Sequence, residues 1–162
     1  MNVVIRPYHA GDLEALLHIT IESFDGVSFD QIVENKFGPL NGHDWRWRKA
    51  RQIEEDVHSN PGGVFVADSD GQVVGYITTQ LDRVTGKARI PNLAITAQAR
   101  GQGLGRKLIE HVLEYLRGEG LAYVVIETMA GNDIGEHLYP SCGFVEIGRQ
   151  IHFAIPLSRP TP

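Results

Sequence analysis

What this 162-residue chain lacks narrows it first. It has one cysteine, Cys142, so no disulfide can form within the chain, and a reducing compartment is expected. No apolar run approaches the roughly 18 residues of a membrane helix, so no membrane span is expected. The opening residues include Arg6, His9, Asp12 and Glu14 and hold no apolar signal core, which points to the cytoplasm. The seven histidines form no His-x-x-x-His pair, and His111 and His137 fall on separate expected helices. No metal is therefore expected. Positive charge is scarce: 15 Lys and Arg against 20 Asp and Glu leave a net −5, which disfavours nucleic acid as a partner. No repeat or low-complexity tract appears.

What is present fits one globular domain. Apolar residues make up 42% of the chain and charged residues 22%, enough for a core and a soluble surface. The expected domain covers residues 1–157, with 158–162 a frayed C-terminal tail. Val3 to Arg6 reads as a strand stopped by Pro7. Leu13, Leu16, Leu17, Ile21 and Phe24 share one face of a helix from about Asp12 to Phe24. Residues 25–44 read as a short helix and a loop. Asp44 is placed to cap a helix from Trp45 to about His58. In its aromatic-basic run, Trp45 to Arg51, one Trp is expected to pack inward while the cations stay solvated. Val64–Ala67, Val73–Leu81 and Ala88–Ile95 read as antiparallel strands, with a bulge expected at Pro91, which cannot donate to a ladder. The clearest helix runs from about Gly103 to Arg117. A buried strand, Ala122 to Ile126, follows it in a parallel, right-handed unit. A short helix then runs through Ser141, and Val145–Gly148 and Ile151–Ile155 read as two final strands.

The chain is organised around Asn92 to Leu108, where a strand end leads through Gly101, Gly103 and Gly105 into the clearest helix. Glycines at alternate positions let backbone N–H groups converge, and the helix start adds unsatisfied N–H groups and a positive dipole end. Arg100, Arg106 and Lys107 add charge. This suits a diphosphate. It does not read as a magnesium-holding P-loop, because Gly105 is followed by Arg106-Lys107-Leu108 and no hydroxyl is placed to hold magnesium. It imitates a dinucleotide-binding turn, but the spacing is G-x-G-x-G and Thr96 to Arg100 separate strand from glycines. A loop without a ligand also remains open.

Arg100-Gly101-Gln102-Gly103-Leu104-Gly105 resembles the Arg/Gln-x-x-Gly-x-Gly signature of the GNAT superfamily of acyl-CoA-dependent N-acyltransferases. The context is similar too: Leu93-Ala94-Ile95 precedes the loop, and Asn132, Tyr139 and Gly143-Phe144 follow in order over residues 88–147. The resemblance implies a mixed α/β fold, a mostly antiparallel central sheet flanked by helices. It implies that acetyl-CoA is the co-substrate, its pyrophosphate on Arg100, Gly101, Gln102, Gly103, Leu104, Gly105 and Arg106. The backbone of Leu93, Ala94 and Ile95 would hold the pantetheine and the thioester oxygen, with Asn132 nearby. The acceptor would be an amine-bearing small molecule, or a protein N-terminus or lysine. The chain would act as a monomer or homodimer. Phe29, Trp45 and Trp47 would border the acceptor.

Acyl transfer to an amine needs no protein nucleophile, and Cys142 reads as a small buried apolar residue. Glu127 ends an apolar strand beside the expected cleft, where partial burial would raise its pKa toward that of a useful base; a strand-end salt bridge is the alternative. It matches the acidic position of Leu-Glu-x-x-x-x-Asn in ribosomal-protein N-terminal alanine acetyltransferases, which that family assigns as base. Tyr139 is the candidate acid, since a phenol stays protonated at neutral pH; a core aromatic is the alternative. Departures from the family are Thr96-Ala97 after the strand, Gly135 for Ala, and Pro140-Ser141 after the Tyr. Gly148 to Phe153 keeps only Arg149 of the alanine enzymes' Arg-Arg-x-Tyr-Tyr-like segment. The expected function is transfer of acetyl to a primary amine in a ternary complex. A non-catalytic acyl-CoA sensor and a dinucleotide-dependent enzyme are the alternatives.

Overall fold

The computed structural model describes residues 2–157, so the expected tail at 158–162 lies outside the described residues. Among the described residues, seven strands and five α-helices run in the order β1 (Val3–Pro7), α1 (Leu13–Ser23), α2 (Phe29–Phe37), α3 (Trp45–Ser59), β2 (Phe65–Ser69), β3 (Gln72–Ile77), β4 (Gln80–Asp82), β5 (Lys87–Ile90), β6 (Leu93–Ile95), α4 (Leu104–Gly118), β7 (Tyr123–Ile126) and α5 (Asp133–Ser141). This is the mixed α/β architecture expected. One sheet has the order β1-β2-β3-β6 and is antiparallel; the other has the order β4-β5-β7, with β5 and β7 parallel.

Strand alternation builds two cores. Phe65 and Ala67 of β2 face α4, while Val66 between them faces α1 and α3. The α4 stripe of Leu104, Leu108, Ile109, Val112 and Leu116 fills the first core. Leu16, Ile19, Ile53 and Val57 fill the second. Leu108 and Ile109 are fully buried, and truncating either to Ala would cost about 2–5 kcal/mol. Arg6 pins β1 to both neighbours: its guanidinium donates to both Asp12 oxygens (2.8 and 3.0 Å) and to Asp68 (2.8 Å).

Two bulges shape the sheets. On β3, Ala67 faces Gly75 and Asp68 faces Val73, so Val74 is the extra residue. Further on, Thr78 and Thr79 oppose three residues, Ile90, Pro91 and Asn92, between the pairs Ile77↔Leu93 and Gln80↔Arg89. The bulge expected at Pro91 is present, because proline cannot bond across the ladder. It divides both expected long strands in two.

Residues 145–157 depart from expectation, since neither final strand forms. Apolar alternation is real, yet Val145, Ile147, Ile151, Phe153, Ile155 and Leu157 are all at least 80% exposed. Phe144 folds back under α5, its N–H donating to the Tyr139 carbonyl (3.1 Å), and the chain then runs to α2, where His152 meets the Phe29 ring at 4.4 Å. Alternation sets which side chains share a face, not which sheet edge they reach. The expected buried strand is accordingly half covered: Tyr123 of β7 is 53% exposed.

Candidate active site

The sheets part beyond Ile90 and Ile126, where the β5–β7 ladder ends. Past the bulge, β6 pairs only with β3. The Asn92 carbonyl accepts from Thr78 N–H (3.0 Å), and Thr96 N–H donates to the Val74 carbonyl (2.9 Å). Backbone alternation therefore turns Leu93 and Ile95 toward the uncovered edge. Part of that edge is claimed, since the Ile95 carbonyl accepts from Arg100 Nε (3.1 Å) and Ser23 Oγ (3.2 Å). The N–H groups of Leu93 and Ile95 face the opening.

The glycine loop follows directly. Gly101 and Gly103 each have φ of +76°, which disfavours any side chain, and open space lies where their Cβ atoms would be. Gly105 has another reason to be glycine, because its Cβ would lie 3.0 Å from Leu138 Cδ2 of α5. Side chains cap α2 through Ser28 and α3 through Asp44. The α4 start has Gly103 at the cap position, no capping side chain and no acid in its first turn. The N–H groups of Leu104, Gly105 and Arg106 thus stay free at the positive end of a 15-residue helix. Exposed glycines, free N–H groups and the cations of Arg100 and Lys107 fit a diphosphate. Two flanking side chains turn elsewhere: Arg106 donates to the carbonyl and hydroxyl of Ser141 (2.9 Å each), and Gln102 reaches the Gln98 carbonyl (3.4 Å). The Leu104 side chain is buried, so only its backbone faces the loop.

Glu127 lies one residue past the last β7 pair, at the mouth of the split. Its expected partial burial is not found: the side chain is 62% exposed and clasped by Arg89, Nε to Oε1 at 3.1 Å and Nη2 to Oε2 at 3.2 Å. Tyr139 is largely buried on α5 near Phe144, and burial pushes its phenol up to about 12. Its hydroxyl has no hydrogen bond to the described residues. Asn132 sits at the α5 start, but its side chain does not cap; it donates to Thr128 Oγ1 (3.1 Å), and Glu136 accepts from Gly131 N–H instead (2.9 Å).

Of the three aromatics, Trp45 is 3% exposed and packs inward. Trp47 is exposed and stacks on His43 at 3.6 Å, and Phe29 is exposed against His152. The cations of this run are not all solvated, contrary to expectation. Arg48 approaches Asp30 (3.6 Å) and Glu34 (3.7 Å), and Lys49 is partly buried.

Sequence reasoning missed a polar chain under α3. Lys49 Nζ donates to Asn92 Oδ1 (3.0 Å), Asn92 donates to Asp56, and Gln80 donates to Asp56 (2.8 Å). Burial pushes the Lys49 pKa down and the Asp56 pKa up. The available signal was spacing: Lys49, Ile53 and Asp56 share one helix face, so two charges lie on an apolar stripe.

The family model described as Acetyltransferase (GNAT) family matches residues 27–144. The chain is 34% identical over 82 residues to a ribosomal protein bS18 alanine N-acetyltransferase of Escherichia coli, covering 51% of this chain and 54% of that protein. It is 30% identical over 105 residues to N-acetylaspartate synthetase of Rattus norvegicus, covering 64% of this chain and 35% of that protein. The chain thus spans from about a third to about half of these relatives. The structure of the paiA N-acetyltransferase from Thermoplasma acidophilum in complex with coenzyme A shares the fold, with a TM-score of 0.69, 17% identity, and coverage of 87% of this chain and 88% of that one. No helix among the described residues is long and apolar enough to cross a membrane, and no group of three or more His, Cys, Asp or Glu gathers as a metal site among them.

Proposed function

This chain belongs to the acetyltransferase (GNAT) family, and on that premise we propose that it moves an acetyl group from acetyl-CoA to a primary amine by direct attack in a ternary complex. The observation that carries the proposal is the adjacency of the uncovered β6 edge to the uncapped α4 start. One holds an extended chain by backbone bonds; the other holds a diphosphate. Coenzyme A presents both, and acetyl-CoA supplies an acetyl group already activated as a thioester.

Arg100, Gly101, Gln102, Gly103, Leu104, Gly105 and Arg106 form the diphosphate cradle, mainly through backbone N–H groups. The N–H groups of Leu93 and Ile95 bind along the pantetheine and stabilise negative charge on the thioester oxygen, with Ala94 fixing the strand between them. Asn132 contacts the pantetheine from the α5 side. An amine must be neutral to attack, so Glu127 takes its proton, directly or through a water, while Arg89 holds the carboxylate in place. As the amine nitrogen bonds to the carbonyl carbon, the C–S bond breaks, and Tyr139 gives its phenolic proton to the departing sulfur. We also read residues 1–157 as one catalytic unit, supported by two cores sharing one sheet. A cytoplasmic location belongs to the same proposal.

Thermal unfolding with acetyl-CoA, CoA, NAD and ATP tests it. A ligand binding only the folded state at about 100 times its Kd adds roughly 2.7 kcal/mol. Stabilisation by the two CoA compounds alone is expected, and no response to them would overturn the proposal.

A further inference from the structure

Lys49 is the cation of α3 that lacks a carboxylate. Arg46 lies 3.7 Å from Asp44, Arg48 3.6 Å from Asp30, and Arg51 3.6 Å from Glu54. Lys49 has no ion-pair partner among the described residues. Its ammonium donates to Asn92 Oδ1 (3.0 Å) and, at longer range, to Gln52 Oε1 (3.4 Å). It also lies 4.2 Å from the centroid of the Phe24 ring. An ammonium has three donors, so one has no hydrogen-bond acceptor among the described residues and is left to the face of the Phe24 ring.

The carboxylates around it are already taken. Asp30 accepts from Gln52 (3.0 Å), Asp56 accepts from Gln80 and Asn92, and Glu127 is clasped by Arg89. A cation taken partly out of water without a direct counter-ion costs stability until an anion arrives. Burial accordingly pushes the Lys49 pKa down, and the charges of Asp30 and Asp56 offset this only in part.

Position gives this charge a use. Asn92, which anchors Lys49, immediately precedes Leu93 at the uncovered edge, and the Arg89–Glu127 pair lies where the β5–β7 ladder ends. We propose that Lys49 recognises the acceptor, and that the acceptor is a small amine carrying a carboxylate, an amino-acid-like molecule. This inference deepens the acetyltransferase proposal and rests on it. One ammonium donor suits a single negative charge; a phosphate dianion would need a second free cation, and Arg89 already holds Glu127. The Phe24 ring supplies an apolar wall beside the charge.

The test is acetyl transfer from acetyl-CoA to matched acceptors, free amino acids and their carboxamides, by the wild-type protein and Lys49→Met. One charge-assisted hydrogen bond predicts that the wild type favours the acid over the amide by about tenfold to a hundredfold in kcat/KM. Lys49→Met should bring that ratio close to one, chiefly through KM for the acid, and Lys49→Arg should keep the preference. Lys49→Gln, read in the same way, serves if Lys49→Met does not fold. A wild-type ratio near one, or an unchanged ratio in a folded Lys49 variant, would overturn the inference while leaving the transferase proposal standing. A wild-type protein that binds acetyl-CoA and acetylates neither acceptor would overturn the inference and direct the transferase proposal to other primary amines.

Discussion

Thr128 occupies the space that a side chain on Gly135 would need: a Cβ there would lie 2.5 Å from Thr128 Oγ1 and 2.9 Å from Thr128 Cβ. The same hydroxyl accepts from Asn132, so the glycine lets Thr128 hold Asn132 at the start of α5. This accounts for glycine at position 135. Gly135→Ala should destabilise the fold by about 1–3 kcal/mol through overpacking and weaken acetyl-CoA binding by displacing Asn132. Chemical denaturation and a CoA titration measure the two effects. Adding Thr128→Gly should restore much of the stability and none of the binding. Restored binding would show that Asn132 needs no support from Thr128.

Gly103 caps α4 in the left-handed region, where a Cβ costs about 1–2 kcal/mol. The space around it is open, so strain and not collision is the penalty. Gly103→Ala should lower stability by that amount and shift the first free N–H groups of α4. We expect affinity for CoA to fall at least as much as stability, measured by calorimetry and thermal unfolding. Unchanged affinity would remove the α4 start from the diphosphate site.

The pattern of these residues explains what the sequence could disclose. Glycine spacing and the α4 stripe are local, so the loop, its helix and the Pro91 bulge were legible. Arg89 and Glu127 lie 38 residues apart, and their pairing depends on a parallel ladder that only the folded chain creates. The Lys49–Asn92–Asp56 chain likewise needs α3 laid across the bulge. Residues 145–157 mislead for the opposite reason: their alternation is a local signal that the tertiary path does not use.

Asp12 links pH to stability. Hydrogen bonds from Arg6 hold its carboxyl below the ordinary value of 3.8, and its side chain is 12% exposed. The folded state therefore binds the proton less tightly than the unfolded chain. The contribution is fully present above the unfolded pKa and is lost as pH falls through the lower folded value. Asp12→Asn should cost about 1–3 kcal/mol at pH 7. The variant and wild type should converge once pH has fallen below the lowered folded value, where Asp12 is protonated in both states. Urea midpoints across pH check this, and a constant difference at every pH would show that the loss is packing alone.

Glu127→Gln leaves the shape of the mouth but removes the group proposed to accept the amine proton. It should depress kcat/KM by about 10²-fold or more and remove the low-pH limb of its profile. An unchanged profile would assign the proton to water or another group.

As the proposed acid, Tyr139 must hold its proton and keep its hydroxyl free to donate. A buried phenol with its pKa raised to about 12 keeps its proton across the physiological range. A hydroxyl bonded to none of the described residues is free to donate to the leaving sulfur. Tyr139→Phe removes only that oxygen, and the ring can keep its contact with Phe144. If Tyr139 protonates the thiolate, kcat should fall by about 10²-fold or more. Acetyl-CoA affinity and thermal stability should change little. If the ring serves packing alone, kcat should stay near wild type, because no buried partner of the hydroxyl is lost. Steady-state kinetics beside a CoA titration separates the two, and a fully active Tyr139→Phe protein would refute the acid assignment.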